Sequence, residues 1–293
     1  MSAALALVAS LLWGTSDFVG GSIGRRLPTL QVLTASQVLS CLPLLAWVVA
    51  SRSWHPLPAG QFLLAAGAGV CWMAGLGCFY TALATGTMGV VAPIAATGVM
   101  VPVAVGYATG ERPDWPQATG IVLAVLGIIC CAGPDRAAPD GAGTRRPAAL
   151  ALLAAAFFGL ELSLLGHASQ GGRATGALLV VRVAAACCVV GASALGRLRR
   201  TPSGPSLVAT AREHSRDRVG LALAALAVLD LAAMAAFAGA CARGGSLALV
   251  AVLASVYPAV TVLLARRVHH ERLPRVQTWG VLVALGGVAL ISA

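Results

Sequence analysis

Residues 111–127 read ERPDWPQATGIVLAVLG, and residues 271–287 read ERLPRVQTWGVLVALGG. Glu111, Arg112, Gln117, Gly120, Ala124 and Gly127 recur as Glu271, Arg272, Gln277, Gly280, Ala284 and Gly287, every pair 160 positions apart. A charged turn leading into an apolar helix therefore occurs twice, and self-similarity at one fixed offset marks a duplicated unit. Further matches carry the duplication outward at slightly smaller offsets. Trp13-Gly14 answers Phe158-Gly159, and Phe79, Ala82, Ala84 and Gly86 answer Phe237, Ala240, Ala242 and Gly244. Gly120 and Gly127, like Gly280 and Gly287, are seven apart and share one helix face, which reads as close helix packing through small residues.

The chain around these repeats has 293 residues, of which 58% are hydrophobic and 10% charged, with a mean hydropathy of +0.87. That is a polytopic membrane protein rather than a soluble domain. Disorder, a coiled coil and nucleic-acid binding each need more charge or polarity, and a disulfide-stapled fold needs a compact chain with paired cysteines. All 20 basic residues are Arg, and neither Lys nor Asn occurs. A P-loop and a Schiff-base enzyme, which need a Lys, are excluded. The net charge of +10 lies in turns between apolar runs, where it meets anionic lipid head groups; no nucleic-acid partner is expected. The eight cysteines fall inside apolar runs without a CxxC or Cys/His pattern and read as packing residues.

A span needs about 20 apolar residues to cross roughly 30 Å of hydrocarbon. Ten stretches satisfy this, at 2–21, 29–50, 60–84, 88–109, 115–133, 147–168, 174–196, 219–241, 246–265 and 275–292. The first has no Arg before it and reads as a retained span rather than a signal peptide. No Asp, Glu, Lys or Arg occurs in the 58 residues between Arg52 and Glu111, too long for one span, and Thr85, Gly86 and Thr87 supply the break. The connection 134–147, rich in Pro, Gly, Asp and Arg, divides the chain almost in half. The expected fold is an all-α membrane protein of ten transmembrane helices built as two inverted five-helix repeats: 1–133, a linker at 134–147, and 148–293. Because five is odd, the second half enters the membrane from the opposite side. Such pairs are characteristic of transporters, where rocking exposes a midplane site alternately to either face.

Together these residues resemble the EamA-type transporters of the drug/metabolite transporter superfamily. The resemblance rests on Trp13-Gly14-Thr15-Ser16-Asp17-Phe18, on the Ala-x-x-x-Gly-x-x-x-Val-Val-Ala-Pro stretch from Ala82 to Pro93, and on the Glu-Arg turns at Glu111 and Glu271. It covers about residues 3–292. Members often carry an Arg early in span two and again in span seven. Here Arg182 fits the second position, while Ser36 or Gln37 stands at the first. Pro93 matches the Gly-x-x-x-Pro character of span four, whereas the proline of span nine comes later, at Pro258. The resemblance implies a multi-pass cell-membrane transporter, not an enzyme, carrying out efflux of a small organic metabolite or drug-like solute. Nothing in the sequence resembles an ATP-binding module, so its energy comes from a gradient or from the solute itself, with coupling to protons the expectation, and its partners are the solute and the lipid bilayer. No cofactor is expected, and a monomer is favoured.

Two arguments differ on orientation. Loops one, three, five, seven and nine carry 15 Arg and the even-numbered loops 4, which by the positive-inside bias puts both termini outside. The resemblance implies both termini in the cytoplasm. The Arg bias is large and the loops short, which favours the first.

Ionisable side chains inside a membrane are costly and read as functional or paired. Five occur within the spans: Asp17, Glu161, His167, Arg182 and Asp230. Asp230 is the most central and the leading candidate for solute binding or coupling, holding a proton while the cavity is closed and releasing it when water enters. The competing reading makes it a structural acid bonded to a neighbouring helix. Glu161 and Arg182 lie at similar depth in adjacent spans, close enough for a salt bridge that fixes helix register; alternatively Arg182 receives a substrate carboxylate. Asp17, one helical turn after Trp13, is a site residue or an interface residue. Trp13, Trp72, Met234 and Tyr257 stand where they would line a cavity or simply fill space in an Ala-rich bundle. Pro93, Pro102 and Pro258 are read as helix bends.

Two further patterns have a sharper reading. Gly20-Gly21-Ser22-Ile23-Gly24 satisfies G-x-S-x-G, and with His167 it supplies the alternative of an intramembrane serine protease. Small residues packing at a helix end explain it more simply. His269 and His270 beside Glu271 cannot converge well on one ion, so no metal is expected.

Overall fold

A computed structural model describes residues 1–24, 27–51, 56–86, 88–131, 145–199 and 216–269, together with 276, 279, 280, 282, 283, 286, 287 and 290. Its helices are α1 (Ser2–Gly24), α2 (Thr29–Ser51), α3 (Ala59–Thr85), α4 (Met88–Ala96), α5 (Met100–Ala108), α6 (Trp115–Cys131), α7 (Arg145–Ala168), α8 (Ala174–Arg199), α9 (Arg216–Ala242), α10 (Leu247–Ala254) and α11 (Tyr257–His269), with a 3-10 turn at Thr97–Val99. No strand occurs among the described residues. Seven stretches are long and apolar enough to cross a membrane, the last of them Leu247–Ala265, and Ile94–Ala108 and Trp115–Gly127 are shorter apolar helices. Most of the expected tenth span, 275–292, lies outside the described residues; the positions described there are helical.

Two expectations change. The linker does not run to residue 147, because α7 already begins at Arg145. Pro147 sits in its first turn, where a proline gives up no helical hydrogen bond. Residues 132–144 lie outside the described residues. Spans four and nine are also interrupted rather than merely bent. The 3-10 turn separates α4 from α5, and Ser255 and Val256 separate α10 from α11. Pro102 and Pro258 each fall in the first turn of the helix that resumes, where a proline's missing N–H and fixed φ suit a start. The Pro93 side chain lies outside the described ones.

Apolar side chains such as Leu11, Leu42, Leu63 and Leu221 are more than half exposed on the outside of the bundle, as lipid-facing positions are. Inside, glycine and alanine let the helices meet closely. A Cβ on Gly14 of α1 would stand 2.5 Å from the Tyr257 carbonyl oxygen and 2.5 Å from Val260 Cβ of α11. Gly159 of α7, its counterpart in the duplication, is pressed in the same way against Gly98 and Val101. Gly287 packs on α6, where an added Cβ would lie 2.6 Å from the Gly120 carbonyl oxygen, so these two of the four shared-face glycines meet closely. The most extensive helix contacts join α3 to α7 and α1 to α9. Each pairs a helix from before the 132–144 connection with one from after it.

Glu111 adds a polar tie between the same two parts of the chain. Its carboxylate accepts from the Ser246 hydroxyl at 2.7 Å and from the Leu247 and Ala248 N–H groups at 2.7 and 3.0 Å. Those N–H groups open α10, where no carbonyl of the preceding turn is available and the helix dipole favours an anion. Glu271, the duplicate of Glu111, lies outside the described residues. Removing the cap by Glu111→Ala should cost about 2 kcal/mol and lower the thermal unfolding midpoint in detergent, whereas Glu111→Gln, which keeps an acceptor, should lower it less. An unchanged midpoint for Glu111→Ala would contradict the capping role.

Candidate functional site

The eight residues selected from the sequence separate into two neighbouring groups. In the first, Arg182 of α8 is fully buried and its Nη1 lies 2.8 Å from Asp230 Oδ2 of α9. The same nitrogen donates to Gln37 Oε1 of α2 at 3.2 Å, and Nη2 donates to Met234 Sδ at 3.2 Å. Asp230 and Met234 are four residues apart on α9, so one helix face presents both to the guanidinium. Gln37 is 145 positions before Arg182, the offset that also relates Trp13 to Phe158.

The second group lines a cleft whose empty space, counted out to its mouth, is about 380 Å³. Helix α1 contributes Trp13 and Asp17, α3 contributes Trp72 and Leu76, α7 contributes Phe158, Glu161 and Leu162, and α11 contributes Tyr257. Trp72 and Phe158 meet with ring centroids 5.6 Å apart, and Phe79 packs edge-on to Phe158 at 5.6 Å. Trp13 rests on Phe237 at 5.9 Å. Glu161 is 1% exposed, and both of its carboxylate oxygens are buried without a hydrogen-bond partner. The indole N–H groups of Trp13 and Trp72 are buried without one as well. The charge of Asp230 acts on both Asp17 and Glu161, so three acids share this region with one Arg.

The expected salt bridge between Glu161 and Arg182 does not form. Depth in adjacent spans was the right guide to level but said nothing of rotation about the helix axis. Helix α8 packs on α3, α2 and α9 more than on α7, which turns Arg182 toward Asp230 and Gln37. Glu161 is left facing the cleft.

The cleft brings together Trp13, Asp17, Trp72, Glu161 and Tyr257, while Arg182, Asp230 and Met234 form the adjoining ion-pair group. The sequence reading did not single out Phe158, Leu76, Leu162 or Gln37 as site residues. The duplication held a signal for all four: Phe158 is the counterpart of Trp13, Leu162 stands 145 positions after Asp17, Gln37 stands 145 before Arg182, and Leu76 stands 158 before Met234, the offset that relates Phe79 to Phe237.

The protease alternative fails on local structure. Its G-x-S-x-G stretch lies wholly within α1 and forms no strand-to-helix elbow. The Ser22 hydroxyl donates to the Phe18 carbonyl at 2.8 Å, and His167 Nδ1 is hydrogen-bonded to the Ser163 carbonyl at 2.8 Å. No cluster of three metal-ligating side chains occurs among the described residues, and the side chains of His269, His270 and Glu271 lie outside them. Cys41, Cys71, Cys78, Cys130, Cys187, Cys188 and Cys241 are free thiols.

Known proteins give a consistent answer. The model of the EamA-like transporter family matches residues 1–132 and 145–293. No curated protein matches the sequence. A solved structure, described only as a crystal structure of a protein, superposes with a TM-score of 0.72 over 99% of this chain and 95% of its own, at 15% identity. That likeness is one of fold.

The buried pair should behave as a unit. Asp230→Leu leaves an uncompensated guanidinium and should cost about 3–5 kcal/mol, while Asp230→Leu combined with Arg182→Met should recover most of the loss. Thermal unfolding of the purified variants in detergent reads both, and a double variant no more stable than the single would contradict the pairing.

Proposed function

The chain belongs to the EamA-like transporter family, and we propose that it is a secondary active transporter of the cell membrane that exports a small organic solute through the cleft by alternating access, in exchange for protons carried at Glu161. Members of that family are membrane transporters of small solutes, and the apolar spans of this chain suit the same setting.

The observation that carries the reading is the carboxylate of Glu161. A buried acid with neither oxygen bonded is expensive, and no structural partner accounts for it. A group that holds a proton in one step of a cycle and meets solute or water in another needs such freedom. Asp230, the leading candidate from sequence, already has its charge met by Arg182 at 2.8 Å, so the coupling role passes to Glu161. The charged and titratable groups around Glu161 are Asp17 of α1, Cys71 of α3, Arg182 of α8, Asp230 and Cys241 of α9, and Tyr257 of α11.

Alternating access is supported by where the cleft lies and by the pairing of contacts. Its walls come from α1 and α3 on one side of the 132–144 connection and from α7 and α11 on the other. In a pair of inverted five-helix repeats, α1 corresponds to α7 and α3 to α9. The contact of α1 with α9 is then the counterpart of that of α7 with α3, the two most extensive in the bundle. The interruptions of spans four and nine also fall at corresponding places, and broken helices flank the binding sites of transporters built this way.

In proteoliposomes offered a mixed metabolite panel, an imposed pH gradient should drive accumulation of the transported solute. Glu161→Gln keeps the shape of the side chain but removes its charge change. It should retain solute counterflow and lose the pH-driven accumulation. Unaltered pH-driven accumulation in a well-folded Glu161→Gln protein would reject the assignment.

A further inference from the structure

We propose that the cleft selects organic cations with an apolar or aromatic body, preferably bearing a hydroxyl, ether or carbonyl oxygen, and discriminates against carboxylates, amino acids included. This names a solute class for the site under the transport reading, and so rests on it.

The charges decide the class. Asp17 and Glu161 both face the cleft, and no Arg is among its lining residues. The adjoining Arg182 has both terminal nitrogens engaged, Nη1 with Asp230 and Gln37 and Nη2 with Met234; its Nε is buried without a partner, but Arg182 is not among the residues lining the cleft. A solute carboxylate would enter a space with two acids and no cation to receive it, in surroundings that screen repulsion poorly. A cationic solute meets the opposite field. It also meets an aromatic wall of Trp13, Trp72, Phe158 and Tyr257, and aromatic side chains, Trp best of all, attract quaternary and other organic cations.

The two unpartnered indole N–H groups, of Trp13 and Trp72, add a second element. A buried donor without an acceptor is unfavourable, and a solute oxygen in the cleft would relieve it.

The test uses the full chain in proteoliposomes and equilibrium binding of radiolabelled benzyltrimethylammonium. Competitors are neopentylbenzene, its neutral carbon isostere, phenylacetate as the anion, and phenylalanine as the zwitterion. The cation should bind about ten-fold or more tightly than the isostere, and phenylacetate and phenylalanine should displace it poorly. Trp72→Leu and Asp17→Asn should each weaken the cation about ten-fold. Displacement by phenylalanine or phenylacetate at lower concentration than by the unlabelled cation would overturn the proposal, as would equal binding of the neutral isostere; both are read on the unmutated protein. Counterflow separates the two readings. Cation binding without exchange across the bilayer would sink the transport reading and leave the solute class standing. Counterflow of phenylalanine with no binding of the cation would sink the solute class and leave transport standing.

Discussion

The 2.8 Å ion pair between Arg182 and Asp230 is the constraint on which the rest of the site depends. Arg182 is the only fully buried Arg among the described residues, and Asp230, Gln37 and Met234 together hold its guanidinium in place. Such a pair contributes little net stability compared with a well-packed apolar substitute, but it punishes any arrangement that separates its members. It therefore fixes the rotation of α8 against α2 and α9. Its second consequence is electrostatic. With the cation bonded to Asp230, Glu161 and Asp17 face the cleft and Glu161 has no bonded partner, and the chemistry proposed for this chain follows from that imbalance.

The scaffold around the pair is made of small residues and interruptions. Gly14 and Gly159 allow α1 and α7 to press on the broken spans nine and four, and prolines sit where those spans resume. Tyr257 opens α11 at one such break and lines the cleft. Close contacts through small residues, joined to a few polar ties such as Glu111 on the start of α10, hold together the helices from before and after the 132–144 connection.

Much of this was legible in the sequence, for identifiable reasons. Four residues of separation put Trp13 and Asp17 on one helix face, and both line the cleft. Scarcity made Glu161, Arg182 and Asp230 conspicuous, since so few ionisable groups occur inside the spans. What the sequence could not give was rotation. Residue counts from a turn fix depth, but which neighbour a helix leans on is a tertiary fact, and so Arg182 was matched with Glu161 when it faces Asp230. Phe158 was overlooked as a site residue because an aromatic in an Ala-rich helix usually fills space, although its correspondence to Trp13 marked it. The start of α7 at Arg145 was hidden by a Pro-rich stretch that reads as linker, since the same proline that breaks a helix interior is at home in its first turn.

The central claim is that Glu161 gives up a proton when a solute occupies the cleft. Purified protein in weakly buffered detergent, mixed with benzyltrimethylammonium in the presence of a pH-indicating dye, reads this directly. The account predicts proton release from the unmodified protein and none from Glu161→Gln at matched occupancy. Release that persists undiminished in Glu161→Gln would contradict it.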